Sequence, residues 1–86
     1  MLIPKIHMNG TSGAELLQQA CDVMAALNDT LEAMRKATPN GRDYYQQGEA
    51  AAKEARDQFS NLYRTIEDVR LEFEVLAMGI DAQMGV

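Results

Sequence analysis

Two stretches decide the fold: Leu17–Met34, LQQACDVMAALNDTLEAM, and Ala52–Val69, AKEARDQFSNLYRTIEDV. In the first, Leu17, Ala20, Met24, Leu27, Leu31 and Met34 step by three and four residues, as do Ala52, Ala55, Phe59, Leu62, Ile66 and Val69 in the second. That spacing is the signature of one apolar face of an α-helix. Pairing the stripes in opposite directions, Met34 with Ala52 through to Leu17 with Val69, makes every pair of numbers sum to 86. The expected chain is therefore all-α, an antiparallel two-helix hairpin folding back at Asp43.

Working outward, residues 1–12 read as an N-terminal arm and residues 13–86 as the hairpin. Ser12 and Glu15 have capping-box spacing and set the start of helix 1 near Gly13. Helix 1 runs to about residue 37, because the residue before Pro39 is driven out of helical geometry. Asn40-Gly41 signals a turn within a loop over 38–48. Asp43 and Gln46 have capping-box spacing too, so helix 2 starts at Tyr44 or, with Gly48 weakening that first turn, at Glu49. It runs to about residue 78, with Gly79 as the expected C-cap.

Helix 2 is the longer of the two, and the 86-sum register leaves Phe73, Leu76 and Ile80 opposite the cap and the arm. Either the arm folds down there through Ile6 and Met8, or another subunit covers that end. Helix 1 carries a second stripe of mostly small residues, Leu16, Val23, Ala26, Thr30, Ala33 and Ala37. Its charges keep to a narrow line through Glu15, Asp22, Asp29 and Lys36, as in a helix covered on two sides. Helix 2 has a broad charged face and a small apolar patch of Leu71, Val75 and Met78. This pattern predicts a helical-bundle homo-oligomer, most simply a dimeric four-helix bundle with helix 1 inside. The competing reading is an amphipathic monomer.

Size and composition support a partner. A chain of 86 residues with one seam has little core, and its single cysteine, Cys21, cannot form an intrachain disulfide. No Cys/His cluster has metal-ligand spacing, and no cofactor is expected. A net charge of −5 argues against binding to duplex nucleic acid. The first eight residues are too short and too interrupted for a secretion signal, and no run is apolar for long enough to span a bilayer. A soluble protein of a reducing compartment, without membrane attachment, is expected.

Polar groups of functional character concentrate in two segments outside the seams. His7, Asn9, Thr11 and Ser12 precede a helix N-terminus, where free N–H groups attract anions. Asn40, Arg42, Tyr44 and Tyr45 bring a guanidinium suited to phosphate and two rings suited to stacking. Each residue also has a plain structural role open to it: Thr11, Ser12 and Asp43 as caps, Asn40 in the turn, the tyrosines over the end of the core. As a set they are the parts of a nucleotide site. About 36 Å of helix rise separates the segments, so the site is expected between subunits, with the arm of one beside the loop of another. No nucleophile has an evident base and no carboxylate pair is placed for acid–base work, so no catalytic residue is assigned and an enzyme is not expected.

The strings His7-Met8-Asn9-Gly10-Thr11-Ser12 and Asn40-Gly41-Arg42-Asp43-Tyr44-Tyr45, with a helix between and a helix after, resemble a family of small proteins encoded by tailed bacteriophages and prophages. The likeness covers about residues 6–80. Members tend to carry a proline after the second tyrosine, where this chain has Gln46. The resemblance implies a phage origin. It suits an accessory protein that sequesters a small anionic nucleotide signal of host immunity in the infected cell's cytoplasm. Alternatively it suits a minor virion or assembly protein docking through its arm and loop. The small helical-hairpin secretion substrates are a poorer match, because this chain lacks their tryptophan-x-glycine turn.

Overall fold

A computed structural model describes residues 1–85 as all-helical and elongated, 62 × 21 × 19 Å, with no strand among the described residues. Helix α1 spans Gly13–Lys36, a 3₁₀ helix α2 spans Gly41–Gln47, and helix α3 spans Glu49–Met84.

Local chemistry fixes each boundary. Ser12 Oγ accepts the Glu15 N–H at 3.1 Å and caps α1. Arg35 and Lys36 occupy the last turn of α1, where the helix dipole favours cations, and the Thr38-Pro39 pair then ends it. Asn40 Oδ1 accepts the Arg42 N–H at 3.0 Å, which starts α2 in the capping role foreseen for Asp43. The chain then reverses at Gly48, whose φ of 93° and ψ of 169° are essentially restricted to glycine. Of the two expected starts for the return helix, the later one, Glu49, is found.

The far end of α3 corrects an expectation. The helix runs through Gly79 to Met84, six residues beyond the expected end at 78. Gly79 is no cap here. Ile3 lies so close to it that a Cβ on residue 79 would overlap Ile3 Cδ1. Close packing therefore offsets the helix cost of a mid-helix glycine, about 1 kcal/mol relative to alanine.

Contacts between α1 and α3 show that the two run in opposite directions. Arg70 Nε donates to Asn28 Oδ1 at 2.6 Å, the Arg35 guanidinium lies 5.9 Å from the Tyr63 ring centre, and Gly13 faces Met84. The first two pairs sum to 98 and the third to 97. The fold-back is therefore centred near residue 49 and not at Asp43. The seven residues of α2 cause the shift, because they coil across the end of the molecule before the return helix begins.

The α1 stripe lies in the seam as read: Ala20 and Leu31 are buried, and Leu17, Met24, Leu27 and Met34 are half-buried. The α3 stripe is found at Ala52, which is buried, and at Ala55, Phe59 and Ile66, which are half-buried, but departs from the expected line at two positions. Tyr63 and Arg70 are half-buried where Leu62 and Val69 were expected, and those two are exposed. The actual line, Phe59, Tyr63, Ile66, Arg70, Phe73, Ala77, Ile80 and Met84, alternates steps of four and three. This is the 3.5-residue period of a coiled-coil seam. Tyr63 and Arg70 are accommodated because their polar or π-rich ends meet Arg35 and Asn28, while their carbon stems cover the seam.

The arm covers the end of its own α3. Ile6 N–H donates to Gln83 Oε1 at 2.8 Å, Gln83 Nε2 donates to the Pro4 carbonyl at 2.9 Å, and the Met1 ammonium pairs with Glu72 at 2.7 Å. Ile3 and Ile6 make the apolar contacts, whereas Met8, expected to share that role, is 97% exposed. Ile80, at 1% exposure, is the largest fully buried side chain.

Candidate functional site

A groove of about 820 Å³ opens where α2 meets the first turns of α3. Gly41, Tyr44, Tyr45 and Gly48 form one wall, and Glu49, Ala50, Ala52, Lys53 and Arg56 the other. The 3₁₀ geometry of α2 and the turn at Gly48 bring the tyrosine pair alongside α3. Tyr44 is half-buried, and Tyr45 is 86% exposed, so a full ring face stands in solvent.

Charge in the groove comes from α3. Lys53 Nζ is paired with Asp57 Oδ2 at 2.7 Å, whereas Arg56 makes no ion pair among the described residues. No side chain caps the first turn of α3. Its leading N–H groups are therefore left without a side-chain partner at the rim of the groove, and the Glu49 carboxylate in the same turn sets a limit on the positive potential. Two aromatic faces and a free guanidinium can stack on a planar ring and grip a phosphate or carboxylate.

The structure brings only some of the expected site residues together. Tyr44 and Tyr45 line the groove. Asn40 serves as the cap of α2, and the exposed Arg42 is beside the groove but not among its lining residues. His7, Asn9, Thr11 and Ser12 lie at the opposite end of α1, all exposed. There the His7 ring folds against Gly10, whose N–H donates to the His7 carbonyl at 3.2 Å, and Ser12 Oγ is engaged in capping. Within one chain the two segments form no common site.

Lys53 and Arg56 were not singled out from the sequence. The signal was available: a lysine and an arginine three apart in the first two turns of a helix share a face, and that face looks back at the loop that feeds it. Among the described residues no three His, Cys, Asp or Glu side chains gather as a metal site, and no helix is long and apolar enough to cross a membrane. No protein-family model, no curated protein and no solved structure matches this chain.

Proposed function

We propose that this chain is a non-enzymatic phage accessory protein that binds and sequesters a small anionic nucleotide signal of host anti-phage immunity. It acts in the cytoplasm of the infected bacterium. The observation that carries this reading is the groove, in which Tyr44 and Tyr45 stand beside Arg56, which makes no ion pair among the described residues. One ring stacks on the base, and Arg56 with the α3 N-terminus takes phosphate. Arg42, from the neighbouring exposed backbone turn, assists with the ligand's outer charge.

In the same reading the two-helix hairpin is the protomer of a homo-oligomer. Antiparallel association through α1 carries the His7–Ser12 turn of one copy to the level of the loop of another, where His7, Asn9 and Thr11 offer hydrogen bonds to the ligand's polar edges. A minor virion or assembly role is the second reading. It is favoured by the exposed Tyr45 at one end and Met8 at the other, both available as anchors for another phage protein.

A thermal-shift panel of cyclic dinucleotides, cyclic trinucleotides and ADP-ribose derivatives tests the proposal. A ligand present at 100 times its dissociation constant adds about 2.7 kcal/mol to stability. A shift with one class of nucleotide supports sequestration. No shift across the panel, together with recovery of the chain in purified phage particles, supports the virion role.

A further inference from the structure

The arm lies in a slot that fits it closely at two points. Gly13 and Gly79 are both helical and neither has a positive φ, so it is space, and not backbone conformation, that calls for glycine at each. A Cβ on residue 79 would overlap Ile3 Cδ1, and one on residue 13 would stand 2.8 Å from Ile6 Cδ1 and 2.9 Å from Met84 Cγ. The two glycines are therefore the floors of two pits, one on α3 and one on α1. Each pit receives an isoleucine of the arm.

Beside the pits a single amide reads the arm backbone. Gln83 Oε1 accepts the Ile6 N–H at 2.8 Å, while Gln83 Nε2 donates to the Pro4 carbonyl at 2.9 Å and to the Gly79 carbonyl of its own helix at 3.4 Å. The bond to its own helix holds the amide in place. Pro4 has no N–H to leave unpaired, and it drives Ile3 before it into an extended conformation. The slot thus recognises two aliphatic side chains three residues apart and the backbone polar groups of the segment that joins them. Folded proteins take extended peptides on these terms, with main-chain hydrogen bonds for affinity and pockets for chosen side chains.

For so close a fit the arm is held lightly. Ile6 alone among residues 1–12 is half-buried, and the others are exposed. The Gln83 bonds and the Met1–Glu72 ion pair are open to solvent. Residues 7–12, which tether the arm to α1, contain a single backbone hydrogen bond, from the Gly10 N–H to the His7 carbonyl at 3.2 Å. Exposed hydrogen bonds and little buried apolar surface mark a segment that opens by itself while the rest stays folded.

We propose that the slot is a peptide-binding site and that the arm occupies it as an autoinhibitory strap. Its ligand is an extended segment of a partner protein with two branched aliphatic residues three apart and proline after the first, the chemistry of Ile3-Pro4-Lys5-Ile6. That segment binds when the arm swings out about residues 7–12. Tethering gives the arm an effective concentration in about the millimolar range, so the strap keeps out weak competitors. The slot and the Tyr44–Tyr45 groove lie at opposite ends of α1, and the inference is independent of the nucleotide reading.

Fluorescence anisotropy with a labelled peptide of the sequence of residues 1–9 tests it on the full chain, with far-ultraviolet circular dichroism as the fold control. Ile3→Asp, which expels the chain's own arm, is expected to bind the peptide at least about 10-fold more tightly than wild type. Adding Gly79→Leu, which fills one pit, is expected to abolish binding. No binding to Ile3→Asp, or binding that survives Gly79→Leu, overturns the site, and equal affinity of wild type and Ile3→Asp overturns the strap. Should Ile3→Asp lose helicity, amide spectra of the wild type decide: unlabelled peptide at about millimolar concentration is expected to shift the Gly13, Gly79 and Gln83 resonances, and unmoved resonances overturn the site. Sedimentation equilibrium tests the remaining occupant. A wild-type dimer that the peptide dissociates assigns the slot to the arm of a second copy and overturns a separate partner.

Discussion

The two ends of the molecule are built for different work. At the arm end, three segments meet: Ile3 lies on Gly79, Ile6 on Gly13, Gln83 ties down the arm backbone, and Ala77 and Ile80 are buried. At the loop end, α2 contains no buried residue, its second tyrosine is in solvent, and a groove lies open beside it. The difference teaches that buried apolar contact and exposed functional groups are separated along the long axis. Apolar side chains fasten the arm end, while the loop end leaves Tyr45 and Arg56 exposed beside the groove, free for the ligand that we propose.

The largest effect should come from the arm end. Ile80→Ala should cost about 2–4 kcal/mol, the range for removing buried methyl and methylene groups, measured by urea unfolding at fixed protein concentration. A loss below about 1 kcal/mol would mean that the arm end is not the stable pole. Next in size, Gly48→Ala should cost about 1–3 kcal/mol, because residue 48 is held where only glycine is comfortable, and it should disturb the groove as well. Smaller again, Asn28→Ala should remove about 0.5–1.5 kcal/mol by breaking the bond to Arg70, which pins the observed register. The smallest change in stability, within about 0.5 kcal/mol, should follow Tyr45→Ala at its exposed site, although that variant should lose ligand. A large loss of stability from Tyr45→Ala would collapse the distinction between the ends.

Much of the architecture was legible in the sequence, and the failures have identifiable causes. The α1 seam was readable because all six stripe positions are apolar and no polar residue competes for them. The α3 seam was read correctly at Ala52, Ala55, Phe59 and Ile66 and misread at two positions, because Leu62 and Val69 look more like core residues than Tyr63 and Arg70 do. Only their partners on α1, Arg35 and Asn28, reverse that preference, and those contacts are long-range. The fold-back point moved from Asp43 because the pairing that sums to 86 left no room for α2, whereas the observed contacts sum to 97 or 98 and the chain reverses at Gly48. Gly79 was taken for a cap because its packing against Ile3 joins residues at opposite ends of the chain. In the candidate site, the tyrosines were legible from their density of function. Arg56 was hidden among the many charges of α3 and emerged only when the loop's position against that helix was known.

The central proposal is that exposed side chains of the loop end recognise an anionic ligand while adding little to stability, and Arg56→Ala tests it most directly. Thermal melts of wild type and variant should be recorded alone and with each nucleotide of the panel. The account predicts equal melting temperatures without ligand, a rise for wild type with one nucleotide class, and loss of that rise in Arg56→Ala, with Arg42→Ala losing less. A wild type that no nucleotide stabilises, or an Arg56→Ala variant that keeps the full rise, would contradict it.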